Sequence, residues 1–286
     1  MYNVPPAMLN VCFDTGVLFH PRKLRQLALR PDVRLYGSTV NVFETVSDVN
    51  DERSFKKARS QMSLLLEVSG TRFLPDTDTL FKMYLGYPGI IADPYQWRKV
   101  AVWLAKANDL AEVDFIDFER ARSLRRRHTD GWVSDVVNQM LRTMNPQIQT
   151  FPDWHSRATP MQVANVLSYL RSPAGMKQQI ETWFRRERWW PMVVLPTMYE
   201  ATERILEAYF LAHQGYLRLI LEFNHKPEEN DALDLDQVLP LWRRDWVFVS
   251  SDRRLLKCLE LGGIDPRQYC AIQDLDPSAP LGVSPI

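Results

Sequence analysis

Val11-Cys-Phe-Asp14-Thr-Gly-Val-Leu-Phe19 is a short apolar run broken by one carboxylate and one glycine, with Pro21 just after it. Its β-branched and aromatic content reads as a buried strand that ends near Asp14 and runs into a turn. Near-continuous apolar runs of this kind mark strands covered on both faces, as in a parallel sheet. Trp246 to Val249 repeats the pattern late in the chain and stops at Ser250, Ser251 and Asp252. Leu35 to Ser38 predicts a second strand, with Ser38 or Thr39 capping a helix that carries Val40, Phe43, Glu44 and Val46. Phe55, Ala58, Met62, Leu65 and Leu66 then recur at helical spacing over Ser54 to Val68. Arg72 to Leu74 gives a brief strand closed by Pro75, followed by a helix from Leu80 to Leu85 that Thr77 or Asp78 is poised to cap. Arg254 to Leu261 reads as a helix stopped by Gly262 and Gly263, and Tyr269 to Ile272 as a last strand.

After Gly86 the strand signals fade. Helices are expected over Val100–Leu110, Phe115–Arg126, Trp132–Met144, Met161–Leu170, Gly175–Trp190 and Thr197–Phe223, with Pro146, Pro152, Pro160, Pro173 and Pro196 punctuating them. Asp234 to Trp242 is a further short helix. The economical organisation is one α/β domain formed by residues 1–85 and 226–286, interrupted by an all-helical insertion over 86–225.

Composition bounds the function. The chain of 286 residues has 35 basic and 35 acidic side chains, which excludes a wholesale polycation and requires any nucleic-acid contact to come from patterning. Three cysteines, none in a C-x-x-C pair, argue against a disulfide scaffold or structural zinc and suit a reducing compartment. No secretory signal and no run of about 18 apolar residues is present. A cytoplasmic protein without membrane contact is expected.

In an open parallel sheet ligands bind outside the carboxyl ends of the strands. Asp14 and Asp252 both fall there. Burying two carboxylates side by side is costly unless a cation joins them, and Mg²⁺ or Mn²⁺ takes a few carboxylates while keeping sites for water and phosphate oxygens. Asp252 also suits the ordinary task of capping the next helix.

These acids, with two more, resemble those of the PIN-domain ribonucleases. Asp14-Thr15 after an apolar strand, and Glu44 within Ser38-Thr-Val-Asn-Val-Phe-Glu-Thr-Val-Ser47, are similar to the first two acidic positions of that family. Asn230-Asp-Ala-Leu-Asp234, then Asp245-Trp-Val-Phe-Val-Ser-Ser-Asp252, resemble the third and fourth, and Phe73-Leu-Pro75 resembles a strand that ends in proline. Asp231 and Asp236 compete with Asp234 for the third position, because helical phase does not decide among them. The resemblance implies a PIN-like three-layer α/β domain with a central, mostly parallel sheet, to which the helical insertion is added. It further implies a Mg²⁺- or Mn²⁺-dependent nuclease, foremost an endoribonuclease, with Asp14, Glu44, Asp234 and Asp252 as metal-holding catalytic acids. Thr15, Ser250 and Ser251 are expected to orient those acids or a water.

A nuclease must also hold a polyanion. Arg22, Lys23 and Arg25 follow the first strand, Arg120 to His128 contains Arg125, Arg126 and Arg127, and Arg185, Arg186 and Arg188 lie beside Trp183, Trp189 and Trp190. Arginine next to tryptophan suits phosphate contact with base stacking on an RNA strand. Asp14-Thr15-Gly16 also spells the aspartic-protease triplet, but that chemistry needs two such carboxylates in a β-rich fold and no second triplet exists. No zinc-type histidine spacing, nucleophilic serine elbow or phosphate-binding glycine loop is present. The competing expectation is a catalytically silent scaffold whose insertion binds RNA or a protein partner. Toxins held by an antitoxin, defence systems, RNA processing and homo-oligomers all stay compatible with the sequence.

Overall fold

In the computed structural model, which describes residues 8–84, 95–131, 158–175, 177, 178, 181, 196–223, 225, 228, 231–276 and 281, five parallel strands form one sheet in the order β3-β2-β1-β4-β5. They are β1 (Leu9–Phe13), β2 (Val33–Ser38), β3 (Phe73–Leu74), β4 (Trp246–Ser250) and β5 (Tyr269–Ala271). β1 lies at the centre, with Phe13 opposite Val249 of β4 and Cys12 opposite Tyr36 of β2. The α/β class and the parallel sheet therefore agree with the sequence reading.

Ten helices surround the sheet among the described residues: α1 (Pro21–Ala28), α2 (Thr39–Ser47), α3 (Glu52–Ser69), α4 (Thr77–Tyr84), α5 (Tyr95–Lys106), α6 (Phe118–Gly131), α7 (Pro160–Arg171), α8 (Pro196–Phe223), α9 (Asp231–Asp236) and α10 (Arg253–Gly262). The expected helices over Trp132–Met144 and Gly175–Trp190 fall largely outside the described residues.

Strand alternation divides the apolar side chains between two cores. Val11, Phe13, Leu35, Val247 and Val249 point to one face, where they meet α1, α2, α3, α5 and α6. Cys12, Trp246 and Phe248 point to the other, where α7, α8 and α10 cover them. Each side chain fully withdrawn from water here contributes about 1.5–3 kcal/mol. Helices on both faces of a parallel sheet make three layers.

The expected boundaries at 85 and 226 do not divide these cores. Ala101 and Leu104 of α5 share a core with β1 and β4, and Leu206, Tyr209 and Ile220 of α8 share the other with Phe248. Helices assigned to an insertion thus complete both outer layers. The contact of α8 with α10 is close enough for Gly215 to pack on the Cys258 carbonyl and Gly262 on the Leu211 carbonyl. Arg171 and Arg218 then donate to the Leu261 carbonyl at 2.8 and 3.0 Å, satisfying an acceptor at the end of α10.

Local chemistry moves some predicted ends. Ser38, not Thr39, caps α2, through a box in which Asn41 answers its backbone N–H. Asp76 caps α4 one residue before the expected Thr77, accepting from the Thr79 N–H at 2.9 Å. The single helix expected over Asp234 to Trp242 is α9 followed by a 3-10 turn at Leu239–Trp242, where Pro240 has no N–H to continue the ladder. α1 was not expected: Pro21, read as the end of the strand's turn, is its first residue. Cys12 and Cys258 are buried and all three cysteines are free. Among the described residues no helix is long and apolar enough to cross a membrane.

Candidate functional site

The chain winds from β1 outward to β2 and β3, then returns to the other side of β1 for β4 and β5. The sheet therefore reverses its strand order between β1 and β4, where an α/β sheet opens a crevice at the carboxyl ends of its strands. Asp14 follows β1 directly, and Ser250 to Asp252 end β4.

Asp14 is 3% exposed. Its Oδ1 accepts the Val17 N–H at 2.9 Å, capping the 3-10 turn Thr15–Phe19. Its Oδ2 accepts the Ser251 N–H at 3.0 Å and the Ser250 hydroxyl. Ser250 in turn accepts the Asp252 N–H at 2.8 Å, so one hydroxyl ties the end of β4 to the end of β1. Burial pushes the Asp14 carboxyl above its ordinary range, while the Ser250 hydroxyl and the nearby backbone N–H groups pull it back. The expected orienting role thus falls to the Ser250 side chain and, at Ser251, to the main chain.

Glu44 is 5% exposed on α2 and accepts the Thr15 hydroxyl. Burial is the main reason its carboxyl is raised to about 7; Asp14 and Asp48 add to the rise, and Thr15 and Arg125 oppose it. Asn41, one turn before Glu44, is a supporting residue the sequence reading missed. Its Nδ2 donates to the Phe13 carbonyl at 3.0 Å and to Gln237 Oε1 at 3.3 Å, joining α2 to β1 beneath the acids. The Ser38-x-x-Asn41 cap with Glu44 three residues on is the signal that pointed to it, because positions three apart share a helix face.

Asp231, Asp236 and Asp234 differ in their partners. Asp231 accepts from the Tyr216 hydroxyl at 2.5 Å, His225 Nε2 at 3.1 Å and the Glu228 N–H at 2.7 Å. Asp236 accepts from the Tyr209 hydroxyl at 3.0 Å. The Asp234 side chain has no hydrogen bond among the described residues. Burial raises its carboxyl well above the ordinary value, and Glu44, Asp14, Asp252 and Asp231 all raise it further. The four expected acids therefore share one electrostatic neighbourhood. Asp252 also caps α10, its Oδ1 accepting the Arg254 N–H at 2.7 Å. Asp234 and Asp252 line a small, partly open pocket with Asp231, His225, Tyr216 and Arg254.

Whether these residues suit a divalent cation is a question of donors and charge. The donors are hard carboxylate oxygens, the class Mg²⁺ and Mn²⁺ take, and four other carboxylates raise the Asp234 carboxyl. As the side chains stand, no three His, Cys, Asp or Glu groups among the described residues form a ready ligand set. Asp14 and Glu44 instead direct oxygens at Val17, Ser250, Ser251 and Thr15. The donor chemistry fits, and the ligand positions are filled by hydrogen bonds.

The basic residues divide differently from expectation. Arg25 forms a two-pronged pair with Glu67 at 2.7 and 2.8 Å, and Lys23 donates to the carbonyls of Gln273 and Leu275. Arg125, expected on a substrate surface, is turned inward: it pairs with Asp48 at 2.7 Å with its side chain 13% exposed, and lowers the Glu44 carboxyl. Among the described residues, only Arg22 of the residue 22–25 group is exposed without an ion pair or hydrogen bond. The side chains of Arg126 and Arg127, and the Arg185–Trp190 cluster, lie outside the described residues.

Comparison with protein-family models, with curated proteins and with solved structures finds no match for this chain.

Proposed function

We propose that this protein is a Mg²⁺- or Mn²⁺-dependent nuclease of PIN-like architecture that cleaves RNA at Asp14, Glu44, Asp234 and Asp252. The observation that carries the reading is Asp234. A partly buried carboxylate with no hydrogen-bond donor among the described residues and four like-charged neighbours, at the strand-order reversal of a parallel sheet, is unfavourable in the protein alone. Such a site makes physical sense when a cation offsets the charge.

Asp14, Glu44, Asp234 and Asp252 would hold the ion. A bound divalent cation supplies a water of lowered pKa and a counter-charge for the scissile phosphate. Ser250 and the Ser251 N–H fix the Asp14 carboxylate, and Thr15 and Asn41 fix α2 and Glu44 against β1. Arg125 limits the cost of ionising Glu44 from within. No side chain has to act as a nucleophile.

Purified protein with Mn²⁺ and end-labelled single-stranded RNA is expected to give cleavage that EDTA stops. Asp14→Asn is expected to lower the rate by about 10²–10⁴, the range for losing one positioned catalytic group. RNA left intact by the wild type, or cut equally by both proteins, overturns the reading; intact RNA that is still bound favours the silent scaffold.

A further inference from the structure

We infer that Phe19, Arg22, Arg53 and Lys57 form a docking surface for single-stranded nucleic acid, with one base stacked on the Phe19 ring. Phe19 ends the 3-10 turn that Asp14 caps. Its neighbours Val17 and Leu18 are buried, whereas Phe19 is 55% exposed. The turn has thus spent its apolar residues on the core and left one aromatic ring outside. At a rise of about 2 Å per residue, the ring's backbone lies roughly 10 Å from Asp14, about three stacked nucleotides at ~3.4 Å each.

One cation already sits over the ring. Lys57 Nζ sits 4.7 Å from the ring centroid. Arg53 and Lys57 are exposed four residues apart on α3, where like charges repel; neither has an ion pair among the described residues, and Asp51 beside Arg53 offsets its charge only in part. Arg22 stands three residues beyond Phe19, and is the member of its cluster with no ion pair or hydrogen bond among the described residues. A polyanion relieves that repulsion. An aromatic face adds what a bare phosphate would not use, since unpaired bases stack on exposed rings while duplex bases are already stacked. The surface draws its meaning as a substrate track from the nuclease reading, on which it rests, yet binding is measurable without catalysis.

The test is anisotropy of a fluorescent single-stranded RNA 12-mer titrated with the full chain in EDTA, where no cleavage competes. Phe19→Ala is expected to weaken binding about 5- to 100-fold, and Phe19→Tyr to stay within about twofold of wild type. On an abasic strand of the same length the wild type and Phe19→Ala are expected to bind alike. Lys57→Ala is expected to reduce the slope of log K against log salt by about 0.7. Thermal melts of each variant matching wild type exclude unfolding as the cause. Unchanged binding by Phe19→Ala, a loss that persists on the abasic strand, or no binding by the wild type overturns the inference. Mn²⁺-dependent cleavage with binding indifferent to Phe19 removes this surface and spares the nuclease; stacking-dependent binding without cleavage does the reverse.

Discussion

Glu44→Gln is expected to make the metal-free protein more stable at pH 8 by about 2–3 kcal/mol and to leave it nearly unchanged at pH 4.5. Burial lifts the Glu44 carboxyl from its ordinary 4.5 to about 7 in the native state. Between those values the folded protein keeps a proton that the unfolded chain has released. Stability is therefore fullest below pH 4.5, falls as pH rises through the window and stays low above pH 7. A rise of that size corresponds to about 3 kcal/mol. Glutamine never ionises, still offers Thr15 an acceptor and so escapes the fall. Urea unfolding in EDTA at the two pH values measures the effect, and equal destabilisation at both would remove the argument that Glu44 is strained as an anion. The same substitution is expected to abolish cleavage, because the unfavourable charge is the one the cation needs. Functional sites commonly carry a stability cost of this kind.

Gly215→Ala is expected to be among the most damaging single-methyl changes in the chain. A Cβ there would lie 1.8 Å from the Cys258 carbonyl oxygen and 2.7 Å from the Gly262 nitrogen. Both are main-chain atoms of α10, so no side-chain rotation relieves the clash and the two helices must separate. A loss of about 3 kcal/mol is expected, the upper end for overpacking. The consequence reaches the site, because Asp252 caps α10 and α8 supplies Tyr216 and Tyr209 to the acids flanking Asp234. Melting followed by near- and far-ultraviolet dichroism should show one cooperative transition at lower temperature, with cleavage lost alongside. A variant in which α8 melts separately while the sheet and the site survive would restore the insertion as an independent body.

The strands that carry the site were legible because burial on both faces writes itself into sequence as unbroken apolar runs at Val11–Phe13 and Trp246–Val249. Asp14 and Asp252 followed from their position at the ends of those runs. α1 was missed because only Leu24 and Leu27 of its eight residues are buried and its first residue is a proline. Spacing from Asp245 and Asp252 favoured Asp234 over Asp231 and Asp236, but the tyrosines of α8 that bond the two flanking acids were not legible. Arg125 shows the same limit: its partners Ser47 and Asp48 are 78 and 77 residues away, and no local spacing announces them. The sharing of both cores across the expected boundaries at 85 and 226 was not legible for a related reason. Helical periodicity identifies a buried stripe without saying which sheet face covers it, and α5 and α8 turned out to cover the sheet itself.

Calorimetric titration of Mn²⁺ into wild type and Asp234→Asn at pH 7.5 tests the central claim most directly. The four acids as one cation site predict saturable binding by the wild type, with proton release as raised carboxyls ionise. Removing Asp234 is expected to weaken that binding roughly tenfold or more, in a variant relieved of repulsion and so no less folded. Absence of binding by the wild type, or equal affinity in the variant, would contradict the account.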